Sequence, residues 1–98
     1  MNHIKELREV IRRLHGTEVT HLESVPVKEE FQGGPAWNGI VEVFELHGHS
    51  RASKAYAWLA DTNNPKKPKR PVTVLHVAPV TSPAEAVRAV MIQEHRGR

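Results

Sequence analysis

The segment Ile40-Val41-Glu42-Val43-Phe44-Glu45-Leu46 limits the folds open to this chain more than any other, because it is apolar on both of its alternating faces. Successive side chains of a strand point to opposite faces, so Ile40, Phe44 and Leu46 share one face and Val41 and Val43 the other. A strand of this kind belongs in the middle of a sheet, and the rest of the sheet must come from the segments around it.

Upstream, Val19, Val25, Val27 and Phe31 share one parity, as a half-buried strand over 17–31 requires, whereas Leu22 is out of phase. A bulge or break between Leu22 and Ser24 accounts for the slip. Pro26 has no amide hydrogen to give to a ladder, which places this strand at an edge. Gly33-Gly34-Pro35 then turns the chain before Trp37. Downstream, Gly48 to Ser53 is a turn and Ala55-Tyr56-Ala57-Trp58-Leu59-Ala60 a third strand, with Tyr56 and Trp58 facing together. Alanine and leucine also make residues 53–60 compatible with a helix, but two large aromatics two apart suit a pleated strand better. The β-branched run Val72-Thr73-Val74-Leu75-His76-Val77 is a fourth strand.

Both ends read as helices. Ile4, Leu7, Ile11 and Leu14 form one stripe over about residues 3–15, with Lys5–Glu9 and Glu9–Arg13 as opposite-charge pairs four apart and Gly16 as the stop. At the other end, Ser82-Pro83-Ala84-Glu85 is an N-cap serine, a proline at the first helical position and a glutamate at the third. A helix therefore begins at Pro83. Ala84, Val87, Val90 and Met91 follow at helical spacing, Ala86 and Ala89 permit close approach to a sheet, and Gly97 marks the end. The expected fold is a single α+β domain spanning 1–98, in the order α-β-β-β-β-α. The connections are too short for parallel crossovers, so an antiparallel four-stranded meander is expected, with the two terminal helices packed on one face.

Charge excludes less than it first suggests. The net charge is +3, but Lys66, Lys67, Lys69 and Arg70 all lie within Pro65–Pro71, so the remainder of the chain is slightly acidic. With no cysteine, disulfides, thiolate metal sites and cysteine nucleophiles are excluded. Apolar runs fall far short of the roughly 20 residues that span a bilayer, and the amphipathic start does not resemble a signal peptide, so no membrane association and a cytoplasmic location are expected.

Four constellations are candidates for function. His47-Gly48-His49 offers two imidazoles, with His21, Glu45 and His76 as supplements, but a metal needs three or four convergent ligands; no metal or other cofactor is expected. His49, Ser50, Ser53 and Glu45 can be drawn as a catalytic group, yet no elbow motif frames them, and the expectation is a protein that is not an enzyme. The run 65–71 carries Lys66, Lys67, Lys69 and Arg70, which can contact phosphates. It lacks interleaved aromatics, and Glu85 occupies the helix start where a double-stranded RNA-binding domain carries lysines. Finally, Trp37, Tyr56 and Trp58 are core residues unless the sheet face bearing them is uncovered, in which case they form an apolar interaction patch.

The residues Trp37-Asn38-Gly39, Val41–Leu46, Gly48-His49, Ala55-Tyr56-Ala57-Trp58, Val74-Leu75 and Pro79-Val80-Thr81-Ser82-Pro83 resemble a family of small uncharacterised bacterial proteins over about residues 25–92. The resemblance implies a bacterial, cytoplasmic origin and transfers no function, since that family has no assigned activity or ligand. The functional expectation is a non-enzymatic module that binds a protein partner or forms a homodimer through Trp37, Tyr56 and Trp58. The second expectation is weak nucleic-acid binding through Lys66, Lys67, Lys69 and Arg70.

Overall fold

The computed structural model describes residues 3–30, 37–62 and 64–96. Its elements are α1 (His3–His15), β1 (Glu18–Glu29), β2 (Trp37–His47), β3 (Lys54–Asp61), β4 (Lys69–Leu75) and α2 (Pro83–Arg96). The four strands form one antiparallel meander in the order β1-β2-β3-β4. The α-β-β-β-β-α order is as expected, with β2 central, β1 at an edge and residues 54–61 a strand rather than a helix. The expected turn at Gly33-Gly34-Pro35, the strand end at Phe31 and the stop at Gly97 lie outside the described residues.

The helices do not share a face. Leu7 and Ile11 of α1 pack with Val19, Phe44, Leu46, Ala55 and Ala57, whereas Ala86 and Val87 of α2 pack with Val27, Val41, Val43, Tyr56, Trp58 and Val72. In β3, Ala55 and Ala57 thus serve one core while Tyr56 and Trp58 serve the other. The expectation of two helices on one face is corrected for a reason already present in β2: a strand apolar on both sides needs cover on both sides.

The bulge in β1 completes this arrangement. Pairing shifts between His21 and Glu23, leaving Leu22 without a partner in the ladder. Val19 faces α1, but beyond the extra residue Val25 and Val27 face α2 despite their shared parity.

Local signals set the helix ends. Gly16, at φ 60°, donates its amide to the Arg12 carbonyl at 2.8 Å. Leu14 leaves the expected stripe and is 63% exposed, because α1 has run past its buried contacts at Ile11. The expected charge pairs four apart give way to Arg12 Nε donating to Glu9 Oε2 at 3.4 Å, with Glu18 3.9 Å from the same guanidinium. At α2 the Glu85 amide donates to Ser82 Oγ at 3.2 Å, and Glu85 Oε1 accepts from the Thr81 amide at 3.0 Å. The Thr81 hydroxyl, 2.6 Å from Oε1, does most to hold the Glu85 carboxyl below its ordinary pKa, and the Thr81 amide and Ser82 hydroxyl add to it. Ser82→Ala is expected to cost about 1 kcal/mol, lowering Tm by about 4–8 °C in a thermal melt followed by circular dichroism.

Candidate functional site

The ladder between β2 and β3 is short, spanning only Glu42–Glu45 against Lys54–Ala57. By contrast, β1–β2 pairing continues to Glu29↔Trp37 and β3–β4 pairing to Asp61↔Lys69. Had the β2–β3 register continued, Val41 would oppose Trp58 and Ile40 would oppose Leu59. Instead the sheet divides at this end into two hairpins. Residues 37–40 of β2 and 58–61 of β3 form the walls of a cleft of about 430 Å³, with Lys69, Arg70 and Val72 of β4 and Val87, Val90 and Met91 of α2 completing its lining.

Two indoles occupy the division. Trp37 and Trp58 meet edge to face, with ring centroids 5.7 Å apart and planes at 67°. The Trp37 ring lies close over Gly39: a Cβ there would sit 3.0 Å from Cη2, so a larger residue would push the ring aside. α2 lies over β1 and β2, where Arg88 Nε donates to Glu29 Oε1 at 2.9 Å. Val87, Val90 and Met91 of the helix line one side of the cleft. A second hollow of about 450 Å³, between β4 and α2, shares Arg70, Val72 and Val90 with the first. Ile40, at the β2 wall, is 48% exposed.

The expected interaction residues separate here. Tyr56 and Trp58 are 2% and 3% exposed, covered by α2, so the face bearing them is core and not an open patch. Burial, with the charges of Glu85 and Glu23, raises the Tyr56 pKa, and its hydroxyl lies 2.5 Å from His76 Nδ1. Trp37, by contrast, is half-buried and lines the cleft. The basic residues also divide. Lys69 and Arg70 belong to β4, where Lys69 pairs with Asp61, while Lys66 and Lys67 lie exposed in the connecting loop without an ion pair among the described residues. Arg12 and Arg13 lie with the Glu18–His47 end of the sheet, opposite the end carrying this loop, and add nothing to it.

The two candidate histidines diverge. His47 Nε2 lies 2.7 Å from Thr20 Oγ1, while His49 Nδ1 accepts from the Arg51 and Ala52 amides at 3.1 Å each and its ring meets His15 edge to face. His49 thus caps a turn beside Ser50 and Ser53 instead of acting on them. Burial, then repulsion by His49, lowers the His15 pKa. Among the described residues, no three His, Asp or Glu side chains are placed to hold a metal ion.

One polar centre went unnoticed in the sequence. Glu42, 1% exposed, accepts from His21 Nε2 at 2.8 Å and Ser24 Oγ at 2.5 Å on Oε1, and from His3 Nε2 at 3.1 Å on Oε2. The β1 bulge brings it together, since it turns His21 and Ser24 to the same face beside Glu42. Burial pushes the Glu42 carboxyl up, but the Ser24, His21 and His3 bonds and the charge of His21 outweigh it, leaving the pKa below its ordinary value. Ser24 and His21 both donate to the same carboxylate oxygen, so the serine is not bonded to a base and no nucleophilic relay forms. The carboxylate ties α1 to β1 and β2. The sequence signals were the Leu22 phase slip and a glutamate inside an apolar strand.

No protein-family model, curated protein or solved structure matches the chain. No helix of the described residues is long and apolar enough to cross a membrane.

Proposed function

We propose that the protein is a non-enzymatic binding module whose ligand site is the cleft between β2 and β3. The observation that carries this reading is the early end of the β2–β3 ladder, which opens a cleft lined by the apolar Trp37, Trp58 and Val72 and by the charged Asp61, Lys69 and Arg70. Concave sites of a few hundred Å³ with apolar walls and a few polar groups are the usual form of a binding site. The polar clusters elsewhere serve structure: Glu42 anchors α1, and His49 closes a turn. Self-association through Tyr56 and Trp58 loses its basis, because α2 covers both.

The test uses 8-anilinonaphthalene-1-sulfonate, an anion with aromatic rings for the apolar part of the lining and a sulfonate for Lys69 and Arg70. Titration followed by ¹H–¹⁵N NMR is expected to give saturable shifts at the Trp37 indole, Gly39, Ile40 and Ala60. Shifts centred on the Glu42 cluster, or no saturable shift, would overturn the proposal.

A further inference from the structure

We infer that the ligand taken by the cleft is a single-stranded nucleic acid, with a base beside Trp37 and its phosphates on Lys66 and Lys67. The inference rests on the cleft being the binding site. Single strands are held by rings on which bases stack and by cations that follow the backbone. The run 65–71 contains no ring, but folding supplies one: the hairpin carrying Lys66 and Lys67 closes on Asp61↔Lys69, and both of these residues line the cleft that Trp37 enters. Pro65, Pro68 and Pro71 restrict the loop, so its lysines lose less freedom on binding.

Charge favours a polyanion at this end. The carboxylates of Asp61 and Glu29 are already engaged by Lys69 and Arg88, which leaves Lys66 and Lys67 facing solvent, with exposed Glu30 as the opposing charge. The strand edges of β2 and β3 that lack a mutual ladder carry amide and carbonyl groups, which can read the edges of an unpaired base. A cleft of about 430 Å³ admits a base with its sugar and excludes a duplex. An acidic peptide would satisfy the lysines but give the indole no flat partner.

The experiment is fluorescence anisotropy of the full chain with a labelled oligothymidylate of about ten nucleotides at about 50 mM salt. Saturable binding is expected, with log K falling against log[salt] at a slope of about −1.5 to −2 for two to three phosphate contacts. Lys66→Gln/Lys67→Gln is expected to weaken it about fivefold or more, and Trp37→Leu by a similar factor. Asp61→Asn, at an exposed position, is expected to tighten it about twofold by removing a carboxylate. No binding, equal binding by wild type and all three variants, or displacement by polyglutamate of equal charge would overturn the inference. If polyglutamate or the naphthalene sulfonate moves the cleft resonances while the oligonucleotide does not, the ligand class falls and the cleft stands. If none moves them, both fall.

Discussion

Trp58→Ala is expected to be the most destabilising single substitution in the protein. Trp58 is 3% exposed, packs against Trp37 and lies among Val41, Val43, Val72 and Val87 at the root of the cleft. Truncating a buried tryptophan costs about 3–5 kcal/mol. A domain of this size has roughly 5–15 kcal/mol in total, so the urea midpoint should fall by about a fifth or more. Trp37→Leu, at a half-buried ring, is expected to cost less than half as much. Urea titrations followed by far-ultraviolet circular dichroism compare the two. A Trp58→Ala protein with an unchanged midpoint but altered sedimentation would instead restore Trp58 as an interface residue.

The second large effect is at Glu42. Glu42→Ala removes the acceptor of three donors, Ser24, His21 and His3, and opens a cavity between α1 and the sheet; the expected loss is about 3–5 kcal/mol. Glu42→Gln keeps the volume and one acceptor and is expected to cost about 1–2 kcal/mol at pH 7. Acid should reveal the charge. The folded carboxyl titrates below its ordinary value of 4.5, so just under that pH the unfolded chain takes up a proton that the folded chain does not. The contribution of Glu42 is therefore whole above about pH 4.5 and is lost as pH falls through the folded value. Urea midpoints measured from pH 7 to pH 3 should bring wild type and Glu42→Gln together on the acid side. A gap that stays constant to pH 3 contradicts the assignment.

What was legible in the sequence was local. The bounds of α1, the start of α2 at Ser82-Pro83 and the strand at 54–61 follow from spacing, caps and propensity, which act within a few residues. Two amphipathic helices by themselves point to packing on one face, whereas Val41, Val43, Tyr56 and Trp58 require cover on the second. The Leu22 slip was visible, but its consequence was not, since placing His21 and Ser24 beside Glu42 requires the register to β2. The cleft was hidden for a similar reason. It depends on where one ladder stops, and it unites Trp37 with Lys69 and Arg70 across more than thirty residues of chain. The sequence also placed Lys69 and Arg70 in a loop, whereas pairing with Asp61 and Ala60 makes them the first residues of β4.

The chain has two tryptophans, and they differ in just the way the account requires: Trp58 is sealed beneath α2, and Trp37 stands at the mouth of the divided sheet. ¹⁹F NMR of protein labelled with 5-fluorotryptophan therefore gives one reporter for each, assigned with Trp37→Phe. On titration with the oligothymidylate, the Trp37 resonance is predicted to move saturably, along the same isotherm as the anisotropy, and Trp58 to move less. Both resonances standing still while the anisotropy saturates would place the ligand elsewhere and contradict the cleft as the binding site.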